Sequence, residues 1–236
     1  MTEVQRSPFT LENRLVVLAN KDGKLADLYM PENEIFDAVG KFSNVYYTQM
    51  QRTWGNTFYH GVLTCQSVAD LWVYQELIFA MKPDLIVECG TGYGGCTLWF
   101  AHILDNMKSD GRIITIDVDK SSVTEHPRIT KLIGRSIDKE ILSHVRRKAK
   151  AARSVMVFLD SDHSTEYVIK EMEAYSKFVK EHGYMIVEDT NCVGPGTALI
   201  AFLGKHDEFF VDPGGNKFYQ TFCPNGFLQK KGNGHV

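Results

Sequence analysis

The chain lacks most of the features that would sort it quickly. No uninterrupted apolar stretch approaches the ~20 residues of a membrane span. Met1-Thr2-Glu3-Val4-Gln5-Arg6 has no apolar core of the secretory-leader kind, so a cytoplasmic location is expected. The net charge is only −3, which gives no general pull toward nucleic acid or an anionic membrane. The one basic run, Arg146, Arg147, Lys148, Lys150 and Arg153, reads as the solvated face of a helix. Five cysteines (Cys65, Cys89, Cys96, Cys192, Cys223) are an odd number without metal-type pairing and read as reduced thiols. Internal repeats and low-complexity segments are absent too. What the 236 residues do offer is a 44% hydrophobic content, enough to bury a full core in one domain with an extension.

From about residue 68 the chain alternates strand and helix. A helix over Val68–Met81 follows Ser67 as its N-cap and stops before Pro83. Strands are expected near 85–89, 112–118, 129–134, 154–160 and 184–189, with helices near 96–107, 137–150 and 163–181. That rhythm specifies an α/β fold, a parallel sheet wrapped on both faces. Phe209–Val211 and Phe227–Lys230 read as short strands of an antiparallel hairpin at one sheet edge. Residues 1–66 do not repeat the rhythm and form an N-terminal extension. Its stretch from Phe42 to Tyr59 mixes Tyr, Trp, Gln and Asn, which suits either a lid over a ring-shaped ligand or a subunit contact. Residues 67–230 form the main domain, and 231–236 a frayed tail.

The densest signal is Leu85-Ile86-Val87-Glu88-Cys89-Gly90-Thr91-Gly92-Tyr93-Gly94-Gly95. A buried strand ends in an acid, and glycines then let the backbone turn and approach a ligand. A helix follows, so its N-terminal N–H groups face that turn. Gly90, Gly92 and Gly95 satisfy G-x-G-x-x-G, a weak dinucleotide pattern. Glu88, Gly90, Gly92 and Gly94 satisfy acid-x-G-x-G-x-G, which resembles the first motif of S-adenosylmethionine (SAM) methyltransferases. Glu88 would repel a pyrophosphate but suits a cationic ligand, so SAM is favoured over NAD(P). Asp117 ends the next strand about twenty residues on, where an acid accepts ribose hydroxyls. Capping the following helix is its other reading.

Acids end the later strands as well: Asp160, then Glu188 and Asp189. Neighbouring strand ends lie ~5 Å apart, so these carboxylates can converge. Three converging carboxylates call for a cation, and all-oxygen ligation suits Mg²⁺, Mn²⁺ or Ca²⁺. The alternative is a pair of helix caps and one catalytic carboxylate without metal. His163, just past Asp160, is a candidate general base by its near-neutral pKa, or else a packing residue. Asp189 is a second candidate base, and Asp162 reads as a helix cap.

With these residues in hand the chain resembles the cephalosporin hydroxylase / rhamnosyl O-methyltransferase family. The matching text includes Tyr59-His60-Gly61-Val62, Gln66, Asp70-Leu71-Trp72, Tyr74-Gln75-Glu76 and Lys82-Pro83-Asp84-Leu85-Ile86-Val87-Glu88. It continues with Gly94-Gly95, His126-Pro127-Arg128-Ile129, Gly134-Arg135-Ser136, Leu159-Asp160-Ser161-Asp162-His163-Ser164, Val187-Glu188-Asp189-Thr190, Gly194-Pro195 and Gly226-Phe227-Leu228. The resemblance implies a doubly wound, mostly parallel seven-stranded sheet with an antiparallel C-terminal strand, the Rossmann-like SAM methyltransferase fold. It implies Mg²⁺ on Asp160, Glu188 and Asp189, and methyl transfer to a hydroxyl of a sugar or natural-product acceptor. Glu88, Gly90, Thr91, Gly92, Gly94, Cys96, Asp117, Ser136 and Asp160 would bind SAM, with His163, Asp160 and Asp189 catalytic. Cys96 stands where the family usually has Ser, a weaker donor to the SAM carboxylate. A homo-oligomer is expected. An NAD(P)-dependent oxidoreductase and a non-catalytic SAM-binding relative are the competing readings.

Overall fold

The computed structural model describes residues 18–19, 25–26, 32–120 and 125–232. The expected extension therefore lies partly outside the described residues, and so do residues 233–236 of the expected tail. β1 (Leu18–Ala19) and β2 (Leu25–Ala26) pair antiparallel. α1 (Glu32–Thr48) follows, then two short 3-10 turns at Met50–Arg52 and Trp54–Asn56. β3 (Phe58–Tyr59) and β4 (Val62–Leu63) make a small hairpin.

The main unit begins with α2 (Val68–Met81), whose N-cap Ser67 side chain accepts the Asp70 N–H. Then come β5 (Leu85–Cys89), α3 (Gly95–Asn106), β6 (Arg112–Asp117), β7 (Ile129–Ile133), α4 (Lys139–Ala151), β8 (Val155–Leu159) and α5 (Thr165–Tyr175). β9 (Tyr184–Val187), α6 (Val193–Leu203), β10 (Phe209–Val211) and β11 (Phe227–Lys230) complete it. The seven strands lie in the order β10-β11-β9-β8-β5-β6-β7, with β9 to β7 parallel and β10 and β11 antiparallel.

The apolar strand runs are explained by burial on both faces. Val87 and Cys89 of β5 point with Val157 and Leu159 of β8 toward Val145, Met172 and Phe202 of α4, α5 and α6. Ile86, Met156 and Phe158 point the other way, toward Tyr74, Leu77, Phe100 and Leu104 of α2 and α3. Each such side chain contributes roughly 1.5–3 kcal/mol when fully buried. Order reverses at β5, where β6 follows on one side and β8 on the other, and ligand crevices open at such points.

Two elements differ from expectation. The helix expected over 163–181 is α5, confined to Thr165–Tyr175. α6 was not anticipated, because Val193-Gly194-Pro195-Gly196 reads as loop. Pro195 sits in its first turn, where a missing N–H forfeits no intrahelical bond, and Ala198 to Phe202 supply the apolar face.

Candidate active site

The crevice over β5 is shaped by backbone. Gly90 adopts φ +99°, and a Cβ there would stand 1.8 Å from the Asp160 carbonyl oxygen. Only glycine lets the two strand ends approach so closely. The Gly92 N–H donates to Asp117 Oδ2 at 2.9 Å, so the acid after β6 braces the glycine turn. Asp117 also accepts the Asp119 N–H at 2.9 Å. The cavity formed, about 480 Å³, is lined by Gly90, Gly92, Asp117, Ser136, Asp160 and Tyr167 among others. That volume suits a cofactor-sized ligand.

Not all the expected cofactor residues reach this cavity. Glu88 lies beneath the glycine turn, 3% exposed. Its Oε2 accepts the Thr115 hydroxyl at 2.5 Å and that of Thr97. Burial pushes its pKa up to about 7, against the lowering effect of those donors. Glu88 is placed inward because it shares the face of Ile86, two residues back, whereas it was expected to bind SAM. Thr91 is also buried, its hydroxyl 2.7 Å from that of Thr115. Cys96 is buried in the first turn of α3, and burial, followed by the charge of Glu88, raises its thiol pKa. Gly94 is the N-cap of α3.

At the ends of β8 and β9 side chains take over. Asp160, His163 and Asp189 each offer a ligand atom, and all lie within 4.8 Å of one another. His163 Nε2 is 2.6 Å from Asp189 Oδ2, and that bond, its largest influence, raises the imidazole pKa. Burial and the charges of Glu188 and Asp189 raise the Asp160 pKa well above the usual carboxylate range. Asp162 accepts the Ser164 N–H at 2.7 Å, at the start of α5. Glu188 is not in the cluster. It continues the face of Ile186 inward, where the Tyr74 hydroxyl and the Cys223 thiol (2.9 Å) donate to it. Its pKa is pushed up to about 8, burial leading and the Asp70 charge next. Asp189, at φ +51°, turns out of the strand instead.

Further residues carry the site without having been assigned a role from sequence. Gln66, 5% exposed, donates from Nε2 to Asp160 Oδ2 at 2.9 Å, while its Oε1 is buried without a partner. The Tyr47 hydroxyl lies 3.1 Å from Cys192 Sγ, next to Asp189. Tyr47 stacks on Trp54, and Phe222 meets both edge-on. The aromatic stretch of the extension therefore folds against the acid end. Its Tyr and Trp content was the signal for Tyr47, while Gln66 was marked only as one of the residues that match the family, with no role attached.

Residues 51–231 match the family model described as Rhamnosyl O-methyltransferase/CmcI. The chain belongs to this family. It is 30% identical over 245 residues to a Rhamnosyl O-methyltransferase of Mycobacterium tuberculosis (strain ATCC 25618 / H37Rv), covering 95% of this chain and 98% of that protein. A Mycobacterium leprae protein of the same name is 28% identical over 222 residues, covering 86% and 94%. Among solved structures, apo CmcI superposes with TM-score 0.61 at 22% identity, over 75% of this chain and 76% of that one. CmcI with Mg and SAM gives 0.60 at 22%, over 75% and 77%. The mostly parallel seven-stranded methyltransferase fold of the Rhamnosyl O-methyltransferase/CmcI family is the one that the sequence led us to expect.

Proposed function

We propose that the protein is a SAM- and Mg²⁺-dependent O-methyltransferase whose acceptor is a hydroxyl of a sugar, rhamnosyl in the first instance. One observation carries the reading: Asp160 belongs both to the cavity over the glycine turn and to the Asp160–His163–Asp189 cluster, so a cofactor and a cation would meet at one carboxylate. Names of the relatives supply the rhamnosyl acceptor, and relatives solved with Mg and SAM supply the pair of small molecules.

The donor set suits a hard divalent cation. Burial first, and then neighbouring carboxylates, push Asp160 and Glu188 upward, a tension that a bound cation would relieve. Asp160 and Asp189 would hold the ion. Each Glu188 oxygen already takes a donor but keeps a lone pair, so Glu188 can join from behind. SAM supplies an electrophilic methyl group when bound, and Mg²⁺ the charge that lowers the pKa of an acceptor hydroxyl. His163 takes that proton at Nδ1, because Nε2–H is committed to Asp189. Gln66 fixes the orientation of Asp160, and Tyr47 and Trp54 form the wall against which a sugar ring lies. Holding both reactants in this crevice supplies much of the acceleration.

The exposed apolar residues Phe36, Phe42 and Val45 of α1 suit a contact between copies of the chain, in keeping with a homo-oligomer. Among the described residues no helix is long and apolar enough to cross a membrane. Reduced thiols and a SAM cofactor suit the cytoplasm. The test is calorimetric titration with SAM, with and without Mg²⁺, followed by methyl transfer to rhamnosides and other glycosides. Binding that strengthens with Mg²⁺, together with methylation of a rhamnoside, is expected. No binding at millimolar SAM would end the proposal.

A further inference from the structure

The loop that covers the acid end is tied to α2 by one buried acid. Asp70 stands in the first turn of α2 and is fully buried. A carboxylate at this position commonly completes a capping box by reaching back to the N-cap N–H. Here only half of that box forms. Ser67 Oγ accepts the Asp70 N–H, while Asp70 Oδ2 accepts the Phe222 N–H at 2.8 Å, across 152 positions of sequence. Asp70 Oδ1 is buried without a hydrogen-bond partner. Burial, the largest influence, pushes the pKa of the acid up to about 6, and the Phe222 N–H is the leading influence that pulls it down. A neutral amide would satisfy one loop N–H without the cost of burying a charge. What the carboxylate adds is strength, since a hydrogen bond to an ionised acceptor is roughly twice as strong as a neutral one.

The residue held this way supports the aromatic wall. The Phe222 ring meets Tyr47 at 5.5 Å and Trp54 at 5.4 Å, both edge-on, and Tyr46 at 5.9 Å. It is 4% exposed, so it props these rings from behind. Nearer the surface the loop is tied by Lys217 to Glu76 of α2, and by Gln220, whose Oε1 accepts the Ser43 hydroxyl of α1 at 3.0 Å. Asp70 supplies the inner tie, at the residue that touches the wall. We infer that Asp70 is a positioning residue for the acceptor: it holds Phe222, and through Phe222 it sets the Tyr47–Trp54 wall on which the sugar lies. The inference rests on the reading of that wall as the acceptor's. Asp70 touches no ligand itself. Its loss weakens the acceptor's hold in ground state and transition state alike, which raises KM and spares kcat.

Two measurements on the full chain test it. In methyl transfer from SAM to a rhamnoside with Mg²⁺, Asp70→Ala is expected to raise the acceptor KM about tenfold, as the loss of one hydrogen bond to a charged group implies. Turnover should stay within about twofold, and S-adenosylhomocysteine affinity should not move. Asp70→Asn keeps an oxygen for the Phe222 N–H and should restore KM to within about threefold. Phe222→Leu should raise KM by itself and add little to Asp70→Ala, because both changes act on one contact. Additive effects, or an unchanged KM in the folded Asp70→Ala protein, would overturn the inference. The second measurement needs no acceptor. In a chain whose exposed Trp72 is replaced (Trp72→Phe), acrylamide quenching of tryptophan fluorescence should increase with Asp70→Ala and return with Asp70→Asn, as Trp54 loses and regains its cover. Unchanged quenching would overturn the inference too. Phe222→Leu serves in both measurements if Asp70→Ala does not fold. If the unmodified chain methylates no glycoside, the acceptor reading fails, and the quenching still decides whether Asp70 holds the wall.

Discussion

The cofactor end and the acid end of the crevice share Asp160 but are built by opposite means. Most of the cofactor end comes from contiguous chain, residues 85 to 136, with Ser161 and Tyr167 added from the start of α5 and just before it, and it relies on backbone: a positive φ at Gly90, the Gly92 N–H on Asp117 and the start of α3. Its acid, Glu88, is buried and held by two threonines. The acid end is gathered from distant segments. Gln66 and Tyr47 arrive from before the sheet, Asp160 to Asp189 from its middle, and Phe222 and Cys223 from near the end. Its side chains repel one another, and each is held in place by a neutral donor or an imidazole. The first end should therefore fail when volume changes, and the second when charge changes.

The largest effect expected is the one that breaks both ends together. In Gly90→Ala the new methyl would lie 1.8 Å from the Asp160 carbonyl oxygen at a φ of +99°. Calorimetry should find no SAM binding, and denaturant unfolding a loss of roughly 2–4 kcal/mol. Retained affinity would mean that the close approach is not needed. Asp189→Asn separates the ends. Asparagine tolerates φ +51°, so the fold should stand. Turnover should drop about 10³-fold, or ~4 kcal/mol, with S-adenosylhomocysteine affinity nearly unchanged. Parallel loss of cofactor affinity would show that the two ends are not separable.

Glu171 of α5, buried behind the cofactor cavity where it accepts the hydroxyls of Ser136 and Ser161, sharpens the contrast, because it is a titrating group at that end. Burial, its largest influence, pushes its pKa up to about 7. The folded state thus binds a proton that the unfolded state releases at about pH 4.3. This contribution to stability is complete below about pH 4.3 and is lost as pH rises through about 7. Its size is on the order of 3 kcal/mol. Glu171→Gln should flatten the fall of the melting temperature across that window, and an unaltered slope would assign the fall to other groups. The smallest effect belongs to Gln66→Leu, which removes the donor to Asp160 but no charge. Mg²⁺ affinity should weaken about tenfold with the fold intact. A loss as large as that of Asp189→Asn would make Gln66 a direct ligand.

The same contrast explains what could be read from sequence. β5, β6 and β8 were legible because both their faces are buried, which writes a largely apolar run, and Gly90 and Asp117 stand at fixed offsets from them. α6 was not legible, since Gly194, Pro195 and Gly196 mask a helix whose apolar face begins only at Ala198. The inward turn of Glu188 could not be foreseen either. It depends on Tyr74 and Cys223, residues 114 and 35 positions away, whose meeting is set by the sheet order. Gln66 carries no motif of its own, and its partner is 94 positions distant.

The placement of β11 sets a timetable for the molecule. Phe227–Lys230 slots between β9 and β10, and the turn before it delivers Cys223 to Glu188 and Phe222 to Tyr47 and Trp54. A ribosome issues the glycine turn early and this closing strand late. A nascent chain stopped at residue 220 would own every residue of the cofactor end, with Tyr74 alone to brace Glu188 and nothing yet to shut the aromatic wall.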